Sequence, residues 1–243
     1  RPNRHPTSAR DPRRPRSRSA RPGLVPLEDR QLLSARLNHS PASTGAATQA
    51  LVSRTYGQLP LSFEPNGGQA GPGVDFVARG AGYTVSLTPG GATVALKSGG
   101  GAQTLGLRVV GANPAARPVA LDRQAGISNY FIGDDPSKWQ TGVPNFGQVR
   151  YRDVYRGVDL VYHGAQRQLE YDFVVRPGTS PRAIRLAFDG TRGQTLDSQG
   201  NLVLHTAGRD VVEHAPVAYQ DINGVRHPVS SRFVVGPRGV VGF

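Results

Sequence analysis

The 243-residue chain has no cysteine and no methionine, one tryptophan, and only two lysines among its 29 cationic residues. Without cysteine there can be no disulfide, thiolate metal site, cysteine nucleophile or iron–sulfur cluster, and the redox compartment stays open. No apolar run approaches the ~18 to 20 residues of a membrane helix, and no stretch has the charged, apolar and small-residue order of a signal peptide. A membrane span is therefore not expected. Also absent are Gly-x-Ser-x-Gly, Gly-x-Gly-x-x-Gly, the phosphate-cradling Gly-x-x-x-x-Gly-Lys, His-Glu-x-x-His and the Asp spacing of a calcium loop. Acid is scarce: 17 Asp and Glu leave a net charge of +12. Glycine and proline are abundant, at 31 and 20 residues, which favours turns over long helices. With no methionine, Arg1 is expected to be a processed or arbitrary start. The final stretch up to Phe243 reads as a strand, a turn and the opening of a further strand, so truncation at the C-terminus is expected as well.

Charge divides the chain near residue 54. Residues 1–54 hold eleven arginines against Asp11, Glu28 and Asp29, so most of the net charge belongs to this segment. Its first 21 residues interleave arginine with proline and serine, and no aromatic residue precedes Tyr56. Too little apolar surface is available to offset chain entropy, so residues 1–54 read as a disordered leader and linker. Such an arm could bind phosphates weakly and without sequence preference, with a steep loss of affinity in salt. No stacking platform or recognition module accompanies it, so no specific nucleic-acid partner is expected. Within the leader, Leu27 to Ser34 follows Pro26 with Leu33 and Leu37 at helical spacing, a marginal amphipathic turn.

From Tyr56 onward the hydrophobic period is two. Tyr83–Thr88 and Ala92–Lys97 alternate on either side of Pro89-Gly90-Gly91, as a hairpin would. The same alternation recurs at 105–109, 157–162, 168–175, 184–188, 202–205, 218–222, 225–227 and 231–235. Asp189-Gly190, Gln199-Gly200-Asn201 and Asn223-Gly224 separate several of these runs, the last pair being suited to a type I′ turn. About ten short strands without a long helical period predict an all-β fold, an antiparallel β-sandwich over 55–243, or two small sandwiches divided near residues 112–126. One exception is Asp135, placed to cap a single helical turn starting at Pro136. Trp139 after it is read as a lid on the core, and as a sugar-stacking platform if exposed.

The best polar constellation falls on residues 158–175. Alternation puts Leu169, Tyr171, Phe173 and Val175 on one face and Glu170 and Asp172 on the other, while Asp159 and His163 share a face of the preceding strand. Brought together, these groups would suit a calcium site or the paired-carboxylate chemistry of glycoside hydrolysis. The simpler reading is a solvent face carrying ordinary charges beside Arg150 and Arg167. His205 and His214 read as surface or hydrogen-bonded histidines. No metal or cofactor is expected, and Trp139, Asp159 and His163 are the weak ligand-binding candidates.

Two resemblances bear on function. The Arg/Pro-rich start followed by Leu27-Glu28-Asp29-Arg30-Gln31-Leu32-Leu33-Ser34 resembles the N-terminal segment of many very large bacterial exported proteins, which implies export. Further on, Leu61-Ser62-Phe63-Glu64-Pro65-Asn66-Gly67-Gly68-Gln69, Val109 to Pro114, Asn129-Tyr130-Phe131-Ile132-Gly133, Val149 to Tyr162 and Leu169 to Phe173 occur in a familiar order. In that order they resemble the uncharacterised domain N-terminal to SBBP repeats, named for a seven-bladed β-propeller, in bacterial exported proteins. The resemblance runs from about Leu59 to Phe243 and implies an extracellular or cell-surface protein whose β-propeller repeats follow this domain as its partners. It carries no catalytic residue. The expected function is thus a non-catalytic β module for adhesion, for binding an extracellular glycan or protein, or for support of the propeller. The competing expectation is a glycan hydrolase using Glu170 and Asp172 or Asp159.

Overall fold

The structure is a computed structural model that describes residues 30–38, 61–80, 82–98, 101–165, 168–208 and 210–243, with only the backbone of 30–38, 97, 98, 101, 102, 165 and 168. The basic stretch Arg1 to Arg21 and the linker reading of residues 39–54 lie outside the described residues. The strands among the described residues are β1 (Arg30–Asn38), β2 (Glu64–Pro65), β3 (Phe76–Gly80), β4 (Tyr83–Thr88), β5 (Gly91–Ser98), β6 (Gly101–Val109), β7 (Pro118–Tyr130), β8 (Gln140–Tyr155) and β9 (Val158–Ala165). They continue as β10 (Gln168–Val175), β11 (Leu186–Asp189), β12 (Gly193–Leu196), β13 (Leu202–His205), β14 (Val211–Glu213), β15 (Val217–Ile222), β16 (Val225–Val229), β17 (Val234–Val235) and β18 (Val241–Gly242). The fold is all-β and antiparallel. One sheet of ten strands runs β12-β13-β14-β1-β10-β9-β8-β7, with the β15–β16 hairpin attached to β1. The other, of eight strands, runs β17-β18-β11-β6-β5-β4-β3-β2.

Local sequence explains the hairpins. In β4, Val85 and Leu87 are buried between the half-exposed Thr84, Ser86 and Thr88, and Thr88 pairs with Gly91 across the two-residue loop Pro89-Gly90. At β15–β16, Asn223 (φ 52°) and Gly224 (φ 77°) both occupy the left-handed region, as a type I′ turn demands. The turn foreseen at Pro136 is a 3-10 turn, Pro136–Lys138, whose N-terminal amide is capped by Asp135.

Side chains from both sheets meet in one core. Tyr151, Tyr162, Tyr171 and Phe173 from the ten-stranded sheet are fully buried with Val85, Leu87 and Leu186 from the other. The rings pack edge to face, with centroids 6.1 Å apart for Tyr151 and Tyr162 and 6.0 Å for Tyr171 and Phe173, the arrangement that the ring quadrupole favours. Tyr155 reaches across, its hydroxyl donating to the Val110 carbonyl at 2.7 Å.

Four features differ from the sequence reading. The Leu27 to Ser34 turn is in its described part a strand: β1 inserts between β10 and the pair β15 and β14, because unpaired strand edges offer a partner that a lone short helix lacks. Residues 112–126 do not divide two sandwiches; there the chain crosses from β6 in one sheet to β7 in the other, with 118–126 already in β7, and the core is continuous across it. The long β7–β8 hairpin shows no clean alternation, because it is interrupted by register shifts between Arg123 and Tyr130, and β8 shifts again against β9 between Tyr151 and Tyr155. Of 231–235, only Val234 and Val235 are strand.

Candidate functional site

Register places the foreseen polar cluster on the outer face of β9 and β10. Glu170 pairs with His163, Asp172 with Val161 and Val174 with Asp159, and directly paired residues point to the same face. His163 lies between the first two carboxylates, with Nε2 at 3.1 Å from Asp172 Oδ2 and Nδ1 at 3.8 Å from Glu170 Oε2. Asp159 does not join them. Its Oδ1 accepts from the Asp153 amide at 3.0 Å and meets Arg176 Nη2 at 3.5 Å, holding the bulge between Tyr151 and Tyr155. The cluster is thus two carboxylates and an imidazole.

This face is not the solvent face that alternation predicts. Glu170, Asp159, Val161 and Val174 are all buried. Both strands lie in the interior of a ten-stranded sheet, so neighbours on both sides wall in their outward side chains; alternation sets direction, not accessibility. Among the described residues no group of three or more His, Asp or Glu side chains is arranged to hold a metal ion.

Trp139 departs from its expected burial. Residues 131–139 form the exposed tip of the β7–β8 hairpin, and β7 is the outermost strand of its sheet. Trp139 is 39% exposed, and Phe131 and Ile132 are each 63% exposed. The tip is nevertheless well braced. Trp139 Nε1 donates to the Gly133 carbonyl at 3.0 Å, its ring meets Phe131 edge to face at 5.2 Å, and Asp135 Oδ1 accepts from the Ser137 amide and hydroxyl at 3.0 and 2.7 Å.

A second polar centre escaped the sequence reading. Glu64, buried on β2, accepts hydrogen bonds from the Tyr130 hydroxyl and from Ser128 Oγ at 2.5 Å, and Arg79 Nη1 lies 3.7 Å from it. Arg79 also lies over the Tyr130 ring at 5.0 Å and donates to the Gln69 carbonyl at 3.0 Å. Burial, and next the Glu64 carboxylate, push the Tyr130 phenol up to about 12. This network joins the Leu61 to Gln69 and Asn129 to Gly133 motifs, so it pins the base of the hairpin to the other sheet. Both motifs were visible in the sequence, but nothing local states that they touch. A third group, Glu213, lies wholly within the core, where Oε1 accepts from the Tyr171 hydroxyl at 2.8 Å. Burial pushes its carboxyl up to about 8. As the end of an ordinary alternating triplet, Val211–Glu213, it gave no sign of facing inward.

Comparison with known families decides the relationship. The model of a domain of unknown function, DUF7948, matches residues 63–243. The chain belongs to this DUF7948 family. The match begins at Phe63, in the first motif of the Glu64 network, and includes every strand except β1. No curated protein and no solved structure matches the chain. Among the described residues no helix is long and apolar enough to cross a membrane.

Proposed function

We propose that this DUF7948 domain is a non-catalytic β module of an exported, extracellular or cell-surface bacterial protein, and that it binds a protein partner through the tip of its β7–β8 hairpin. The observation that carries the reading is the apolar tip itself. Phe131, Ile132 and Trp139 are presented to solvent at the tip, with Ile127 exposed further along β7, and exposed apolar clusters mark interaction sites. Burying one such side chain contributes about 1.5–3 kcal/mol, and the bracing of the tip lowers the ordering cost of binding. The resemblance to domains preceding SBBP repeats makes those repeats the first partner to test, with an extracellular glycan or another protein behind them. The polar cluster of Glu170, Asp172 and His163 is in this reading an ion-pair brace of the sheet, and no cofactor takes part.

The test is a photo-crosslinking residue placed at Ile132 in the protein as its native cell makes it, together with protease treatment of intact cells. The expected result is cleavage from outside and a crosslink to the repeats or to one discrete surface protein, lost with Phe131→Ser and Trp139→Ser. A domain protected inside the cell, or a tip that crosslinks to nothing, refutes the reading. Release of reducing ends from a polysaccharide that disappears in Glu170→Gln would replace it with the hydrolase.

A further inference from the structure

A cavity of about 470 Å³ opens where the end of β6, the turn after β11, β12 and the turn before β18 come together. Its lining includes Arg108, Arg192 and Arg238, with Asp189, Gln194 and the largely buried Phe188. Three arginines therefore line one space, although they come from positions far apart in the chain. Asp189 neutralises only the first, by a bidentate contact at 3.1 and 3.2 Å to Arg108. Among the described residues Arg192 and Arg238 have no carboxylate partner. An excess of cationic residues around one cavity favours an oxyanion as its occupant.

The backbone offers a second, independent sign. Arg238 adopts φ 56° and ψ 25°, a left-handed conformation that glycine takes at no steric cost and arginine does not. The turn that imposes it is pinned on three sides: Gln194 Nε2 donates to the Gly239 carbonyl at 2.7 Å, the Gly236 amide to the Val240 carbonyl at 2.7 Å, and the Val240 amide to the Pro237 carbonyl at 3.3 Å. An arginine thus occupies a position whose geometry favours glycine, in the lining of a cavity that two further arginines line.

We propose that this cavity binds a monosaccharide-sized ligand carrying an oxyanion, its carboxylate, sulfate or phosphate group lying between Arg192 and Arg238 and its ring over Phe188. The volume falls within the range of small-molecule sites, and guanidinium groups match the planar or tetrahedral geometry of these anions. The site is separate from the hairpin tip and does not depend on the partner proposed there.

Calorimetric titration of the full 243-residue chain at fixed ionic strength tests this, with galacturonate, glucose 6-sulfate, glucose 6-phosphate and neutral glucose as probes. Saturable binding of at least one anion is expected, and none of glucose; the anion that binds identifies the source of the oxyanion. Arg192→Gln and Arg238→Gln should each weaken binding by about tenfold, as loss of a charge-assisted contact does. Arg238→Gly, which relieves the left-handed strain, should lose the same affinity with Tm unchanged or raised, and Arg226→Gln on the distant β16 should bind as the parent does. Saturation by none of the anions, equal binding of glucose, or equal weakening by Arg226→Gln would overturn the proposal.

Discussion

Raising the pH should weaken the native state through one buried side chain, Glu213. It has no exposure to solvent, and among the described residues its only hydrogen bond from a side chain comes from the Tyr171 hydroxyl. In the unfolded chain its carboxyl returns to 4.5, whereas burial in the fold pushes it to about 8. Between those values the folded state holds a proton that the unfolded state has released, so deprotonation favours unfolding and stability falls as pH rises through this window. One proton is worth about 1.4 kcal/mol per pH unit, which makes the loss between about pH 5 and pH 8 on the order of 4 kcal/mol. Above the folded value the slope disappears. Urea unfolding followed by near-ultraviolet circular dichroism of the packed tyrosines would measure it, with Glu213→Gln as reference. The glutamine keeps an acceptor for Tyr171 but cannot titrate, so its profile should lack this slope whatever its absolute stability. Histidine contributions are common to both proteins and cancel in the difference. Parallel profiles for parent and variant would refute the reasoning.

Four further outcomes follow from the packing. The Tyr162 hydroxyl is buried without a hydrogen-bond partner among the described residues, so Tyr162→Phe should be neutral or stabilising by about 1 kcal/mol in urea midpoint measurements; a clear destabilisation would reveal a missed partner. Gly91 has φ 144° and a Cβ there would run into the Leu107 carbonyl, so Gly91→Ala should cost roughly 3 kcal/mol or more and lower Tm sharply. Gly224→Ala, at the second left-handed position of the β15–β16 turn, should cost about 1 kcal/mol. Phe131→Ser and Trp139→Ser should each change stability by less than about 1 kcal/mol, so a large fall in Tm would mean that the tip belongs to the core and not to a binding surface.

The candidate site was partly legible beforehand. Glu170, Asp172 and His163 could be brought together by assuming the simplest hairpin, because alternation and a short connection specify which residues face each other. Asp159 lies on the same face, but four residues of extension separate Val174, its partner, from Glu170, roughly 13 Å of strand. That separation follows from the register, which the composition of the segment does not state. Glu64 and Tyr130 were both noticed as parts of motifs, yet they are 66 residues apart, and only the meeting of the two sheets brings them together.

What the sequence determined by itself is local: strands by period two, turns by Pro-Gly, Asp-Gly and Asn-Gly, and the capped turn at Asp135. Each of these depends on steric and hydrogen-bonding preferences within a few residues. Tertiary structure decided which strand edges met, and hence that Arg30–Asn38 became the strand between β10 and the β15 and β14 edges. It also decided that Glu213 faces inward, that Trp139 faces outward, and that three arginines share one cavity. Those outcomes depend on which distant surfaces exclude water from one another, a property of the folded arrangement that no short window of residues contains.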